Sequence, residues 1–101
     1  MSRFPTVFIP HGGGPCFFMD WDPPETWERQ ADFLRNLAAN IGKTPEAILI
    51  VSAHWEESHV TIQNNISPNL FFDYYGFPEH TYKLEYNPSG DLNLSAKVVS
   101  L

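Results

Sequence analysis

The feature that most restricts how this chain folds is the run at 47–51, which reads AILIV. It is apolar at every position and does not alternate, which is typical of a strand covered on both faces in a parallel sheet. A second run of β-branched and aromatic residues at 6–9 ends at Pro10, where a central strand has to stop. With a helical pattern between the two runs, the order predicts a right-handed βαβ unit. We therefore expect an α/β fold with a mostly parallel sheet and flanking helices.

The helix between the two runs is predicted from its ends. Asp22 is a suitable N-cap, Pro23 suits the first helical position, and Glu25 lies three residues after the cap, as in a capping box. Gly42 and then Pro45 predict the end of the helix. The apolar stripe, spaced by fours and threes, consists of Trp27, Ala31, Leu34, Ala38 and Ile41.

The pattern is weaker after residue 54. Val60 and Ile62 alternate with polar residues and predict a third, half-exposed strand, while 71–86 is an aromatic-rich loop. Asp91 then caps an amphipathic helix, whose apolar residues are Leu94, Val98 and Leu101. The chain stops inside this predicted helix, so we expect an incomplete α/β domain.

Composition excludes several classes of protein. The chain has 101 residues, 43% of them hydrophobic, which suffices for one packed core. Twelve acidic residues against six basic ones give a net charge of −6, so nucleic acid is not an expected partner. Cys16 is the only cysteine and cannot form an internal disulfide, which favours a reducing compartment. Since no signal peptide or membrane span is recognisable, we predict a cytoplasmic protein without membrane association.

Two histidines follow the two predicted strands. His11 comes after the first and His54 after the second, and the carboxyl ends of parallel strands share the sheet edge at which α/β proteins bind ligands. Imidazole is a common metal ligand and proton shuttle, so this placement predicts a shared site. Glu56 and Glu57 lie beside His54, and two histidines with one carboxylate form the facial triad of non-haem iron. Adjacent residues on a strand point in opposite directions, however, and a charged rim is the commoner use of such a pair. The alternative, two solvent-facing histidines, fits the positions about equally well.

The other candidate residues have simpler interpretations. His59 and His80 follow no buried strand and are expected on the surface. Cys16 has no basic neighbour to lower its thiol pKa and is expected to be a small buried thiol. The HGGG sequence at 11–14 also resembles the oxyanion loop of esterases. That function needs a G-x-S-x-G elbow, which this sequence lacks.

Three motifs together point to one family. VFIPHGGGP, ILIVSAHWE and DYYGFPEHTYKLEYNPSGD, in this order, resemble the class III extradiol ring-cleavage dioxygenases, and most closely the 4,5-DOPA extradiol dioxygenase-like branch. The resemblance implies a single α/β catalytic domain, of which 1–101 is the N-terminal part. It also implies a cytosolic enzyme that opens a catechol such as DOPA beside its two hydroxyls. Such an enzyme uses dioxygen and one divalent metal, zinc or ferrous iron.

The resemblance extends to individual residues. His11 in PHGGGP and His54 in SAHWE match the two N-terminal metal ligands of the family. Tyr74, Tyr75 and Phe77 match a loop near the family's pocket, where rings stack on the aromatic substrate; core packing is the alternative use of these rings. Many relatives read HGSP where this chain has HGGGP, so the loop is one residue longer here.

The family is considerably longer than this chain, and its remaining metal ligands and its acid/base histidine lie in the part that the chain lacks. Two ligands seldom hold a catalytic metal. For a protein that ends at Leu101 we expect weak metal binding, no ring cleavage, and an exposed sheet edge that needs a partner. Three hypotheses therefore stand: an incomplete extradiol dioxygenase, a non-catalytic short form that binds a partner or forms a homo-oligomer, and an esterase-type hydrolase.

Overall fold

The computed structural model describes residues 3–101. Within them lie three α-helices: α1 (Glu28–Arg35), α2 (Leu37–Ile41) and α3 (Leu92–Val99). Two short 3₁₀ helices, Cys16–Phe18 and Glu79–Tyr82, complete the regular structure of this part of the chain. The chain divides into two compact units: the first contains Met1–Glu46 and Phe72–Leu84, and the second contains Ala47–Phe71 and Glu85–Leu101.

The predicted α/β fold with a mostly parallel sheet is wrong. No strand occurs in residues 3–101, and the runs at 6–9, 47–51 and 60–63 lie outside any ladder. The side chains of Ile48, Leu49, Ile50 and Val51 are 62–93% exposed. A strand exists only where a neighbour satisfies its backbone N–H and C=O groups. The apolar pattern therefore identified side chains suited to burial, but it carried no information on whether a pairing segment is present.

The first predicted helix is present but shorter, and it is divided. The first residues of the predicted helix form turns instead, in which the Thr26 N–H donates to the Pro23 carbonyl at 3.2 Å. Helix α1 begins after Trp27, which makes no side-chain cap bond, so the predicted Asp22 cap is wrong. Pro24 opposes a helix that begins at Pro23, because a proline disfavours α-helical backbone in the residue before it. Asn36, at φ −95° and ψ 2°, separates α1 from α2.

The predicted end of that helix is confirmed at Gly42. Its φ of 90° is left-handed, and its N–H donates to the Ala38 carbonyl at 3.0 Å. Glycine adopts this conformation without the steric cost of a Cβ, which is why it commonly ends helices.

The first unit is built around a few buried residues rather than a continuous core. Cys16 is 1% exposed and Thr81 is fully buried, and the predicted burial of the Cys16 thiol is thereby confirmed. The Trp21 indole N–H donates to the Cys16 carbonyl at 2.6 Å. Trp21 and Trp27 meet edge to face, with ring centroids 5.9 Å apart. Burial raises the pKa of the Cys16 thiol, because desolvation outweighs the backbone hydrogen bonds that favour the thiolate.

The second unit contains α3, whose predicted cap is confirmed. The Asp91 carboxylate accepts a hydrogen bond from the Leu94 N–H at 3.0 Å, satisfying one of the donors that a helix start leaves unpaired. The Ser95 hydroxyl donates to the Gln63 carbonyl at 2.9 Å, and the Gly90 N–H donates to the Ile66 carbonyl at 2.9 Å. These bonds attach the helix and its entry to the segment near residue 65.

The helices of residues 3–101 are all too short or too polar to cross a lipid bilayer.

Replacing Asp91 with alanine is expected to lower the free energy of unfolding by about 1 kcal/mol, because the Leu94 N–H loses its acceptor. Asp91→Asn keeps a side-chain oxygen and serves as the matched control. Urea unfolding followed by far-ultraviolet circular dichroism measures both variants. Equal stability of the alanine and asparagine variants would show that the cap contributes nothing.

The Cys16 thiol is expected to react with iodoacetamide much more slowly in the native chain at pH 8 than in the urea-unfolded chain. Burial restricts access, and the raised pKa keeps the thiolate scarce. The native rate should therefore increase only at a pH above that at which the unfolded thiol becomes reactive. Mass spectrometry of the alkylated chain measures this rate, and similar native and unfolded rates would contradict the buried environment.

Candidate functional site

The glycine loop, residues 11–14, lies in the first unit and is closely packed on two sides. Gly14 has a left-handed φ of 51°, and a methyl group on it would lie 2.6 Å from Cζ of Phe77. A methyl group on Gly12 would lie 2.5 Å from Sγ of Cys16 and 2.8 Å from Cζ3 of Trp27. By contrast, a methyl group on Gly13 would meet nothing within 4 Å. Neighbouring side chains therefore leave no room for a β-carbon at Gly12 and Gly14, whereas Gly13 has room for one.

His11 opens this loop on the surface of the first unit. Its Nδ1 lies 2.8 Å from the carbonyl oxygen of Gly12. With the proton on Nδ1 the ring donates to that carbonyl and carries its lone pair on Nε2. Histidines that bind metals usually donate their other ring N–H in this way, often to a backbone carbonyl. The local geometry of His11 is therefore compatible with metal coordination through Nε2.

An aromatic cluster of Phe72, Tyr74, Phe77 and Tyr82 lies in the same unit. Tyr74 is central: its ring centroid is 5.1 Å from that of Tyr82 and 5.4 Å from that of Phe77, the latter edge to face. The Tyr74 hydroxyl donates to the Thr81 carbonyl, and the Tyr82 hydroxyl donates to the Tyr74 carbonyl at 3.3 Å. These bonds satisfy the polar ends of half-buried rings, as the packing of tyrosine requires.

Tyr75 has a different environment from its neighbours in the predicted substrate-binding set. Its side chain is 90% exposed, whereas Tyr74 and Phe77 are half-buried in the aromatic cluster. Gly76, with a φ of 79°, turns the chain between Tyr75 and Phe77. Of the three side chains, only that of Tyr75 is almost fully exposed.

His80 has a structural role that the sequence pattern did not reveal. The residue is exposed, as predicted, but its Nε2 lies 2.7 Å from the carbonyl oxygen of Phe18, which joins the two 3₁₀ helices of the first unit. The two residues are 62 positions apart, so no local spacing could have indicated the bond. The sequence indicated only that a histidine ring N–H can donate to a carbonyl, and it did not indicate which carbonyl.

His54 lies in the second unit, in a turn rather than at the end of a strand. Its backbone N–H donates to the Ser52 hydroxyl at 3.1 Å, and its side chain is exposed. Nearby, the Trp55 indole N–H donates to Glu57 at 3.1 Å, so this carboxylate already has a hydrogen-bond donor. Residues of the same stretch line a surface cleft: Trp55, Glu57, Ser58, His59, Val60 and Thr61.

The donor chemistry fits a divalent metal, but the number of donors is small. His11 and His54 both offer imidazole nitrogens, which suit zinc and ferrous iron. Residues 3–101 contain no group of three or more histidine, cysteine or acidic side chains placed to hold a metal ion. Catalytic zinc sites generally use three protein ligands. The two histidines, one in each unit, are therefore suitable ligands but not a complete site.

The sequence is similar to those of several named proteins. No family model matches the chain, and no solved structure matches it. A protein named dioxygenase tasH from Hapsidospora irregularis is 32% identical over 99% of this chain, which covers 32% of that relative. Proteins named 4,5-DOPA dioxygenase extradiol are 31% identical over 95% of the chain in Beta vulgaris and 27% identical over 99% in Escherichia coli.

The match includes nearly every residue of this chain in all three comparisons, and the chain spans about a third of the length of each relative. Two of the three names specify extradiol cleavage, and the third also specifies a dioxygenase. The names agree with the family indicated by the histidine and aromatic motifs. By sequence, nearly all of the chain is similar to about a third of each of these proteins, which are named as dioxygenases or as 4,5-DOPA extradiol dioxygenases.

Proposed function

We propose that this protein is a metal-dependent extradiol dioxygenase that opens the ring of a catechol such as DOPA. The observation that carries the proposal is the similarity of 95–99% of the chain to relatives named for that activity. The substrate class is taken from those names, and the metal is taken from the resemblance of the motifs around His11 and His54. The lone, buried Cys16 is consistent with an enzyme that works in the reducing cytoplasm.

His11 and His54 are the proposed metal ligands in this chain. For His11 the contact between Nδ1 and the Gly12 carbonyl supports the proposal, since metal-binding histidines usually donate their other ring N–H to a carbonyl or carboxylate in this way. Because residues 3–101 contain no set of three ligands, a catalytic site requires further ligands beyond these two. The 101-residue chain by itself is accordingly expected to bind metal weakly and not to cleave rings.

The proposed substrate site uses the segment that contains Tyr74, Tyr75 and Phe77. Tyr75 is the ring best placed to stack on a catechol, because its side chain is 90% exposed whereas Tyr74 and Phe77 are half-buried. Tyr74 and Phe77 support this segment from the aromatic cluster. Stacking between offset or edge-to-face rings is worth about 0.5–1.5 kcal/mol beyond the area that it buries.

In the proposed reaction the metal and the residues of the chain have different roles. A bound divalent ion favours the deprotonated catechol, and a redox-active ion such as ferrous iron allows electron transfer to dioxygen, which zinc does not. The two histidines would be two of the residues that hold the ion, and the aromatic segment would orient the substrate ring.

Replacing either proposed ligand tests the metal assignment. In the longest available form of the protein, His11→Ala and His54→Ala are each expected to lower zinc or iron affinity by at least about tenfold, and to abolish oxygen uptake with DOPA. His59→Ala is the control, because this exposed histidine has no proposed ligand role. Metal content is measured by atomic emission after dialysis. Full metal occupancy in both ligand variants would contradict the assignment.

Replacing Tyr75 with alanine is expected to raise the KM for DOPA by about two- to tenfold, the loss of one stacking contact. Metal content should be unchanged, since the ring lies outside the ligand set. Tyr86→Ala, at an exposed tyrosine without a proposed role, is the control. An unaltered KM in the Tyr75 variant would remove this ring from the substrate site.

A further inference from the structure

The contact between Gly14 and Phe77 joins the glycine loop to the aromatic segment. The three atoms nearest to a methyl group built on Gly14 all belong to the Phe77 ring, at 2.6, 2.7 and 3.3 Å. The ring therefore occupies the space that a side chain at position 14 would need. No residue other than glycine fits there without displacing Phe77, and the left-handed φ of 51° adds a second reason.

Phe77 is itself held by its neighbours. Its ring meets Tyr74 edge to face, at an interplanar angle of 86°. The backbone N–H of Phe77 lies 3.5 Å from the Tyr82 hydroxyl, which in turn donates to the Tyr74 carbonyl. The ring that presses on Gly14 is thus part of a packed and hydrogen-bonded cluster.

The glycine loop is restrained at its other end as well. Gly12 is in contact with Cys16 and the Trp27 ring, so both residues that flank Gly13 are fixed by side chains of the first unit. His80 adds a bond to the Phe18 carbonyl, just beyond the loop. His11, which adjoins Gly12, is carried by backbone whose position depends on these contacts.

We propose that Phe77 is a positioning residue: its ring, seated on Gly14, fixes the glycine loop and thereby sets the orientation of His11. The proposal rests on the proposed function, in which His11 is a metal ligand. A sequence of three glycines has more backbone freedom than any other tripeptide, and a ligand at its end loses that freedom on binding a metal. A loop that packing already fixes loses less conformational entropy when the metal binds, and its metal affinity is therefore higher.

Gly14→Ala tests the proposal, because the added methyl group displaces the Phe77 ring. In the longest available form of the protein, this variant should bind Zn²⁺ about tenfold more weakly than wild type, by competition with a chromophoric chelator. Gly13→Ala is the matched control: it adds the same methyl group to the same loop, into open space and without a positive φ. Its zinc affinity should stay within about twofold of the wild-type value.

Phe77→Leu provides a second variant that retains an apolar side chain. If the ring acts through Gly14, the two substitutions should couple: combining Gly14→Ala with Phe77→Leu should weaken zinc binding by less than the product of the separate effects. Thermal unfolding is measured alongside. A change in unfolding midpoint with unaltered zinc affinity in both single variants would show a purely structural contact and overturn the proposal.

A readout that needs no metal separates this proposal from the proposed function. The imidazole signals of His11, assigned by their loss in His11→Ala, should shift in the NMR spectra of metal-free Gly14→Ala and Phe77→Leu but not in Gly13→Ala. If they shift while wild type binds no metal through His11, the positioning role stands and the ligand role fails. If wild type binds zinc through His11 and neither variant shifts the signals, the positioning role fails and the ligand role stands.

Discussion

The packing of the glycine loop against large side chains is the constraint on which the first unit depends. Because Gly12 has no β-carbon, Cys16 and Trp27 can pack close to its backbone, and the same absence at Gly14 makes room for Phe77. This arrangement brings the segment around residue 12 together with the one around residue 77. It also places His11 beside the most tightly packed residues of the unit while its own side chain stays exposed. Packed surroundings hold the backbone that carries the proposed ligand, and such support orients metal-binding side chains.

The parts of the structure that local chemistry determines were predictable. The Asp91 cap needs only a carboxylate three residues before an N–H, and the Gly42 end needs only a residue without a β-carbon. Both appear as predicted. The Asp22 cap failed for a similarly local reason, the effect of Pro24 on the preceding residue, which the capping pattern did not take into account.

The sheet could not be predicted in the same way, because a strand depends on a partner that may be distant in sequence. The run at 47–51 has the composition of a buried strand, yet Val51 is 93% exposed and the run pairs with nothing in residues 3–101. The same principle explains why His80 was overlooked: its bond to Phe18 connects residues that no periodicity relates. That His11 and His54 are metal ligands stays a prediction from the motifs, but their expected meeting at one sheet edge depended on strands that are absent from the described residues.

The similarity of nearly the whole chain to named extradiol dioxygenases is the firmest functional result, and the central proposal built on it is extradiol cleavage of a catechol. The most direct measurement is the fate of labelled dioxygen. The longest available form, loaded with ferrous iron, is incubated with DOPA under ¹⁸O₂, and the product is reduced at once with borohydride and analysed by mass spectrometry. The account predicts a ring-opened product that carries both labelled atoms, one in the new carboxylate and one in the alcohol derived from the new aldehyde. Unchanged DOPA, or a product without label, would contradict it.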